Sequence, residues 1–116
     1  FARQYDPQPF HVDPEAAERS PFGGLVASGW HTASVTMRLL VDGFLRDAAT
    51  RGALGVDDLR WRTPVRPGDT LTARTEVVET EPWDDDHGRA DVRVETLVDD
   101  DVVCSMVGLV LFARRP

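Results

Sequence analysis

The chain has 116 residues, 41% hydrophobic and 28% charged, enough for one compact domain and too few for two. Its formal net charge of -7 argues against nucleic acid as a main partner, because phosphate binding needs clustered base, and no apolar run reaches the ~20 residues that cross a bilayer. The single cysteine, Cys104, excludes an intrachain disulfide and a Cys-based zinc site.

Cys104 stands in an apolar, strand-like run, where it reads as an inert buried thiol; a cytoplasmic setting is expected. All 13 basic residues are Arg, a coding bias that still leaves room for a local anion site. The start, Phe1-Ala2-Arg3-Gln4-Tyr5, has no signal-peptide pattern and no Met, so the chain is expected to begin inside a longer reading frame.

In chain order, Tyr5-Asp6-Pro7-Gln8-Pro9-Phe10-His11-Val12-Asp13-Pro14 comes first. Each proline fixes its own φ and pushes the preceding residue out of the α region, so a rigid loop is expected, aiming the Asp6 carboxylate and the His11 imidazole at one point. Asp-Pro is as often a plain turn and a loop His is usually just exposed, so this spacing alone identifies no chemistry. Asp13-Pro14-Glu15 is a helix start, with Asp as N-cap and Pro at the first position, and that helix is expected to end near Ser20-Pro21.

Phe22-Gly23-Gly24 turns the chain into Leu25-Val26-Ala27-Ser28-Gly29-Trp30, where Ser28 or Gly29 caps a long helix. From Trp30 to about Arg51 the apolar positions Ala33, Met37, Leu40 and Phe44 share one face, with Gly52 and Gly55 punctuating the end. The first N–H groups of such a helix lack internal partners, and Gly29 has no side chain to keep a ligand carbonyl from its amide.

Four strands are expected at 59–65, 69–80, 89–98 and 102–113. The third alternates strictly (Ala90, Val92, Val94, Thr96), while the fourth, apolar on both faces, is expected to be central and covered on both sides. Asp84-Asp85-Asp86-His87-Gly88 and Asp99-Asp100-Asp101 are solvated turns; the spacing and terminal Glu of a calcium loop are absent. The fold class is therefore α+β, an antiparallel sheet wrapped around one long helix, in a single domain spanning 1–116. Its sheet edges are expected to be covered by dimerisation.

The first two segments taken together resemble the MaoC-like dehydratases, which include the (R)-specific enoyl-CoA hydratases and adopt the hot-dog fold. Asp6, His11, Asp13, Ala16, Ala17, Phe22, Gly23 and Gly29 fit the family's pattern. Leu59-Arg60-Trp61-Arg62-Thr63-Pro64-Val65-Arg66-Pro67-Gly68-Asp69-Thr70-Leu71 fits its Pro-Val-x-x-Gly-Asp strand and turn. The chain departs from the pattern in having Gln8 where Asn is frequent, and Ser28-Gly29-Trp30 where many members have His-Gly-Met; His31 is assigned no family role. Relative to typical members, a first strand and a helical turn are expected to be missing before Phe1.

The resemblance implies hydration of trans-2-enoyl thioesters to (R)-3-hydroxyacyl thioesters, or the reverse dehydration. Asp6 and His11 would be catalytic on a shared water, and the Gly29 amide would bind the thioester oxygen; no metal or cofactor is required. The implied partners are acyl-CoA or acyl-carrier-protein thioesters and a second copy of the chain, with neither nucleic acid nor membrane. Trp30, Val35, Met37 and Leu39 are candidates to line an acyl tunnel, although plain core accounts for them as readily. Arg60, Arg62 and Arg66 could meet phosphates or simply face solvent. Two alternatives are an acyl-thioester hydrolase, for which Asp42 is the helix carboxylate, and a non-catalytic acyl-binding subunit.

Overall fold

The computed structural model describes residues 1–114. Three short helical segments come first: α1 (Ala2–Tyr5), α2 (Pro9–Val12) and α3 (Pro14–Glu18). Pro9 and Pro14 each occupy a first helical position, where a missing N–H costs nothing, and Asp13 caps α3 by accepting from the amides of Glu15 and Ala16. The loop expected over 5–14 is thus interrupted. Its prolines begin a helical turn as well as forbid one, and only Asp6-Pro7-Gln8 is left between α1 and α2, where the Gln8 amide turns back to the Asp6 carbonyl.

Helix α4 (Gly29–Gly43) starts at Ser28, whose Oγ accepts from the Trp30 amide, and it stops well short of Arg51. Gly43 is a poor helix former, and Phe44 leaves the helix to join the core, followed by a single 3-10 turn at Leu45–Asp47. The buried face also differs from the expected one. It carries Thr32, Thr36 and Leu40, while Met37 is 51% exposed. Counting only apolar residues rotated the face, because threonine buries well once its hydroxyl is satisfied inside.

The sheet is antiparallel, in the order β1-β4-β3-β2, built from β1 (Thr50–Trp61), β2 (Thr72–Pro82), β3 (His87–Val98) and β4 (Asp101–Ala113). The alternation in β3 holds: Ala90, Val92, Val94 and Thr96 are buried, and Leu40 of α4 packs with the first three. Phe44, Leu45, Met106, Val110 and Phe112 close around this cluster. Strand β4 is central, but beyond Val103 and Cys104 it is only half-buried, so the expected cover on both faces is incomplete within one chain. An α+β hot-dog architecture results, one helix held against a single antiparallel sheet.

Strand β1 corrects the expected 59–65. Gly52 and Gly55, which read as helix punctuation, lie inside the strand, where Gly52 at φ +113° and Asp58 at φ +52° accompany breaks in register with β4. After Trp61 the ladder ends because Pro64 and Pro67 have no N–H to donate, and the amides of Arg62 and Thr63 share the Val103 carbonyl. The Asp-rich run after β2 is a turn held by Asp84, which accepts from the amides of Asp86 and His87.

Helix and sheet are also joined by a buried polar thread. Thr36 Oγ1 donates to the Thr32 carbonyl at 2.8 Å, which leaves it to accept from Thr96 Oγ1 at 2.7 Å. The thiol of Cys104 lies against the Thr96 hydroxyl, and burial pushes that thiol above its ordinary pKa, as befits an inert structural cysteine. Thr36→Val keeps the shape but leaves the Thr96 hydroxyl only the weak thiol of Cys104, and is expected to cost about 1–3 kcal/mol in a urea melt. Thr36→Val/Thr96→Val should cost less than the sum of the two single changes; additive losses would show that the hydroxyls do not act as a pair.

Candidate active site

Asp6 and His11 meet. Asp6 follows α1 and His11 lies on α2, and their facing atoms, Oδ2 and Nε2, are 3.4 Å apart. Both side chains are largely shielded, with 18% exposure for Asp6 and 8% for His11. The imidazole is fixed at its other nitrogen, Nδ1, which lies 2.8 Å from the Val26 carbonyl. A carbonyl only accepts, so Nδ1 must carry a proton, and in the neutral ring Nε2 presents its lone pair to Asp6.

Asp6 is held just as firmly. Gln8 Nε2 donates to Oδ1 at 2.6 Å and Ser28 Oγ donates to Oδ2 at 2.6 Å. These two donors, the Ser28 hydroxyl foremost, keep the Asp6 carboxyl below the usual carboxylate range; the nearby imidazole adds to this, and partial burial opposes it. Asp6 is therefore an anion at neutral pH. A carboxylate oxygen and an imidazole lone pair facing across 3.4 Å are two acceptors without a shared proton. Such a pair suits a small molecule that can donate to both.

The helix start lies beside this pair. As the first residue of α4, Gly29 has no acceptor one turn back, and its N–H makes no hydrogen bond among the described residues. Glycine is obligatory here for a reason that the sequence did not give: a Cβ would fall inside the indole ring of Trp61, which packs over Gly29 and stacks edge-on against Trp30 at 5.1 Å between centroids.

Two clefts flank the site. A larger one, of about 750 Å³, opens beside Ser28, His31, Val35 and Leu71, and a smaller one, of about 380 Å³, lies beside Gly29, Trp61 and Phe22. His11, Val26, Ala27, Thr32 and Val65 border both. Of the tunnel candidates only Val35 borders the larger cleft, Trp30 and Met37 being exposed and Leu39 bordering neither. Arg66 lines the larger cleft and donates to the Phe22 carbonyl, Arg62 donates to Ser105 Oγ, and Arg60 pairs with Asp58 on the surface.

Sequence reasoning brought Asp6, His11 and Gly29 to one end of α4 but missed their supports. Ser28 was legible only as a helix cap, because nothing local connects it to a carboxylate 22 positions earlier. Gln8 registered only as a departure from Asn, although any carboxamide two residues after Asp6 can reach back to it.

The fold recurs among known proteins. The model of the MaoC like domain family matches residues 1–98. The crystal structure of a MaoC-like dehydratase from Rhodospirillum rubrum superposes with a TM-score of 0.92 at 44% identity, over all of this chain and 81% of that one. The 3-hydroxybutyryl-CoA dehydratase of Methylorubrum extorquens is 33% identical over 115 residues, 95% of this chain and 66% of that protein. Bacillus subtilis YdeM is 33% identical over 97 residues, 83% of this chain and 68% of that protein, so the chain spans about two thirds of these two relatives. With an antiparallel sheet against one long helix and the family model matched over most of its length, the chain belongs to the MaoC-like domain family.

Proposed function

We propose that the chain hydrates trans-2-enoyl thioesters to (R)-3-hydroxyacyl thioesters, or dehydrates them in reverse, with Asp6 and His11 as the catalytic pair and the Gly29 amide as the oxyanion donor. One observation carries this reading: two shielded acceptors, Asp6 Oδ2 and His11 Nε2, face each other at 3.4 Å, each locked by a donor or acceptor behind it. A water donating to both has its oxygen lone pair free to attack. As that oxygen bonds to the β-carbon, the π electrons move toward the thioester carbonyl, whose oxygen gains charge that an unpartnered helix N–H stabilises. The pair takes the water's proton and the α-carbon receives one back, so the site ends in its starting protonation state. The relative named as a 3-hydroxybutyryl-CoA dehydratase supports a short CoA thioester as the first substrate to try, with carrier-protein thioesters sharing the same reacting group.

The hydrolase reading has less to stand on. Asp42, the carboxylate it needs, lies on the exposed face of α4 between Arg38 and Arg46, and both pair with it. The non-catalytic reading leaves a carboxylate with three polar partners and an imidazole aimed at it without a purpose.

The reading includes a homodimer of this single-domain chain. Strand β1 is an edge, Leu54 and Val56 on it are exposed, and Trp30, Met37 and Val41 line an exposed side of α4. The described residues have a radius of gyration of 16.6 Å, against roughly 13 Å for a compact chain of about this length. A second copy is the occupant, since a two-fold axis brings the same unpaired edge and the same apolar side of α4 to both partners.

Asp6→Asn keeps the volume and removes the charge. With crotonyl-CoA as substrate, it is expected to lower turnover by about 10²–10⁴-fold, followed by loss of enoyl absorbance, with an unchanged melting profile. Near-parental turnover would remove Asp6 from the mechanism. Light scattering should give twice the 12.9 kDa chain mass at micromolar concentration; a monodisperse monomer would exclude the dimer.

A further inference from the structure

We infer that Ser28 is a positioning residue that couples the Asp6 carboxylate to the amino end of α4, an inference that rests on the reading of Asp6 just given. The direction of its hydroxyl is not free. The Trp30 amide can only donate, and it lies 3.3 Å from Ser28 Oγ, so the hydroxyl uses its lone pair there and directs its single proton to Asp6 Oδ2 at 2.6 Å. A chain of donation runs from helix amide to hydroxyl to carboxylate, all in one sense. It passes the positive end of the helix dipole to the oxygen that faces His11.

Burial strengthens the case. Ser28 is 1% exposed, and a hydroxyl that deep either holds its partners or is costly. An ordinary N-cap serine sits at a wetted helix end; this one is closed in, and its proton serves a group 22 residues away. The other groups facing Asp6 are His11 Nε2 from α2 and the Gln8 amide from its own loop. Gln8 is exposed and binds the outer oxygen, Oδ1, so Ser28 is the support on the reacting side.

Two substitutions separate positioning from helix capping. Ser28→Ala and Ser28→Gly both remove the hydroxyl, but glycine is a far better N-cap than alanine, so their melting temperatures should differ. Both variants are expected to lower kcat for crotonyl-CoA by about tenfold or more, the worth of one hydrogen bond to a charged group, with KM nearly unchanged. Both should also raise the titration midpoint of the Asp6 carboxyl, followed by carbon NMR, because the donor that favours the anion is gone. Ser28→Thr, which keeps the hydroxyl, should restore both.

A kcat that tracks melting temperature across the series would overturn the inference and leave Ser28 as a cap only. So would an Asp6 midpoint that is the same in the parent and in both hydroxyl-free variants. If the parent hydrates no enoyl thioester, the proposed function fails, and the Asp6 midpoint in the same variants still decides whether Ser28 governs that carboxylate.

Discussion

The first 28 residues contribute no strand and no long helix, and the site depends on how they are pinned. Five polar contacts do it. Asp6 is tied to Ser28, the His11 ring to the Val26 carbonyl, the Val26 amide to the Phe10 carbonyl, the Ala27 amide to the Val65 carbonyl, and the Phe22 carbonyl to Arg66. Each joins the N-terminal segment to the start of α4, to the residues leading into it, or to the stretch after β1. The segment buries Ala17 and Val26, but its orientation is set by directional bonds, which fix it better than hydrophobic contact does. A site that must aim two side chains at one small volume gains from that.

Directionality recurs where helix meets sheet. A core of Leu40 on Ala90, Val92 and Val94 would tolerate sliding of α4 along the strand, since apolar contact is insensitive to small shifts. The Thr36–Thr96 hydroxyl pair permits one register only. It lies on the same face of the helix as Thr32, which borders both clefts, so the contact that locks the helix also fixes the distance between its amino end and the sheet.

How much of this the sequence disclosed follows from the range of each interaction. The strict alternation of 89–98 and the continuous apolar run of 102–113 are local signals of burial, and β3 and β4 lie where they say. Asp13-Pro14 is likewise local, and α3 begins there. The register of α4 was lost because the Thr36 hydroxyl has partners a helical turn and 60 positions away, and a count of apolar residues treats Thr32 and Thr36 as surface. Strand β1 was displaced because Gly52 and Gly55 are ambiguous until β4 supplies its pairing. In the site, proline placement made the meeting of Asp6 and His11 foreseeable, whereas Trp61 over Gly29 and the tie from Ser28 to Asp6 depend on tertiary closeness that no local pattern encodes.

The two halves of the proposed catalytic pair are braced in opposite senses. Asp6 receives hydrogen bonds, which spread its charge and make it a reluctant base; His11 gives one at Nδ1, which fixes the tautomer that turns the Nε2 lone pair toward Asp6. In the proposed hydration, a water between them would donate one proton to Nε2 and one to the carboxylate, and the anion would stabilise an imidazolium formed beside it. That division resembles how a buried carboxylate supports a histidine elsewhere in enzymology, with one difference in geometry: here the carboxylate faces Nε2 and not the protonated Nδ1, so in the proposed mechanism it would touch the water as well as the charge left on the ring.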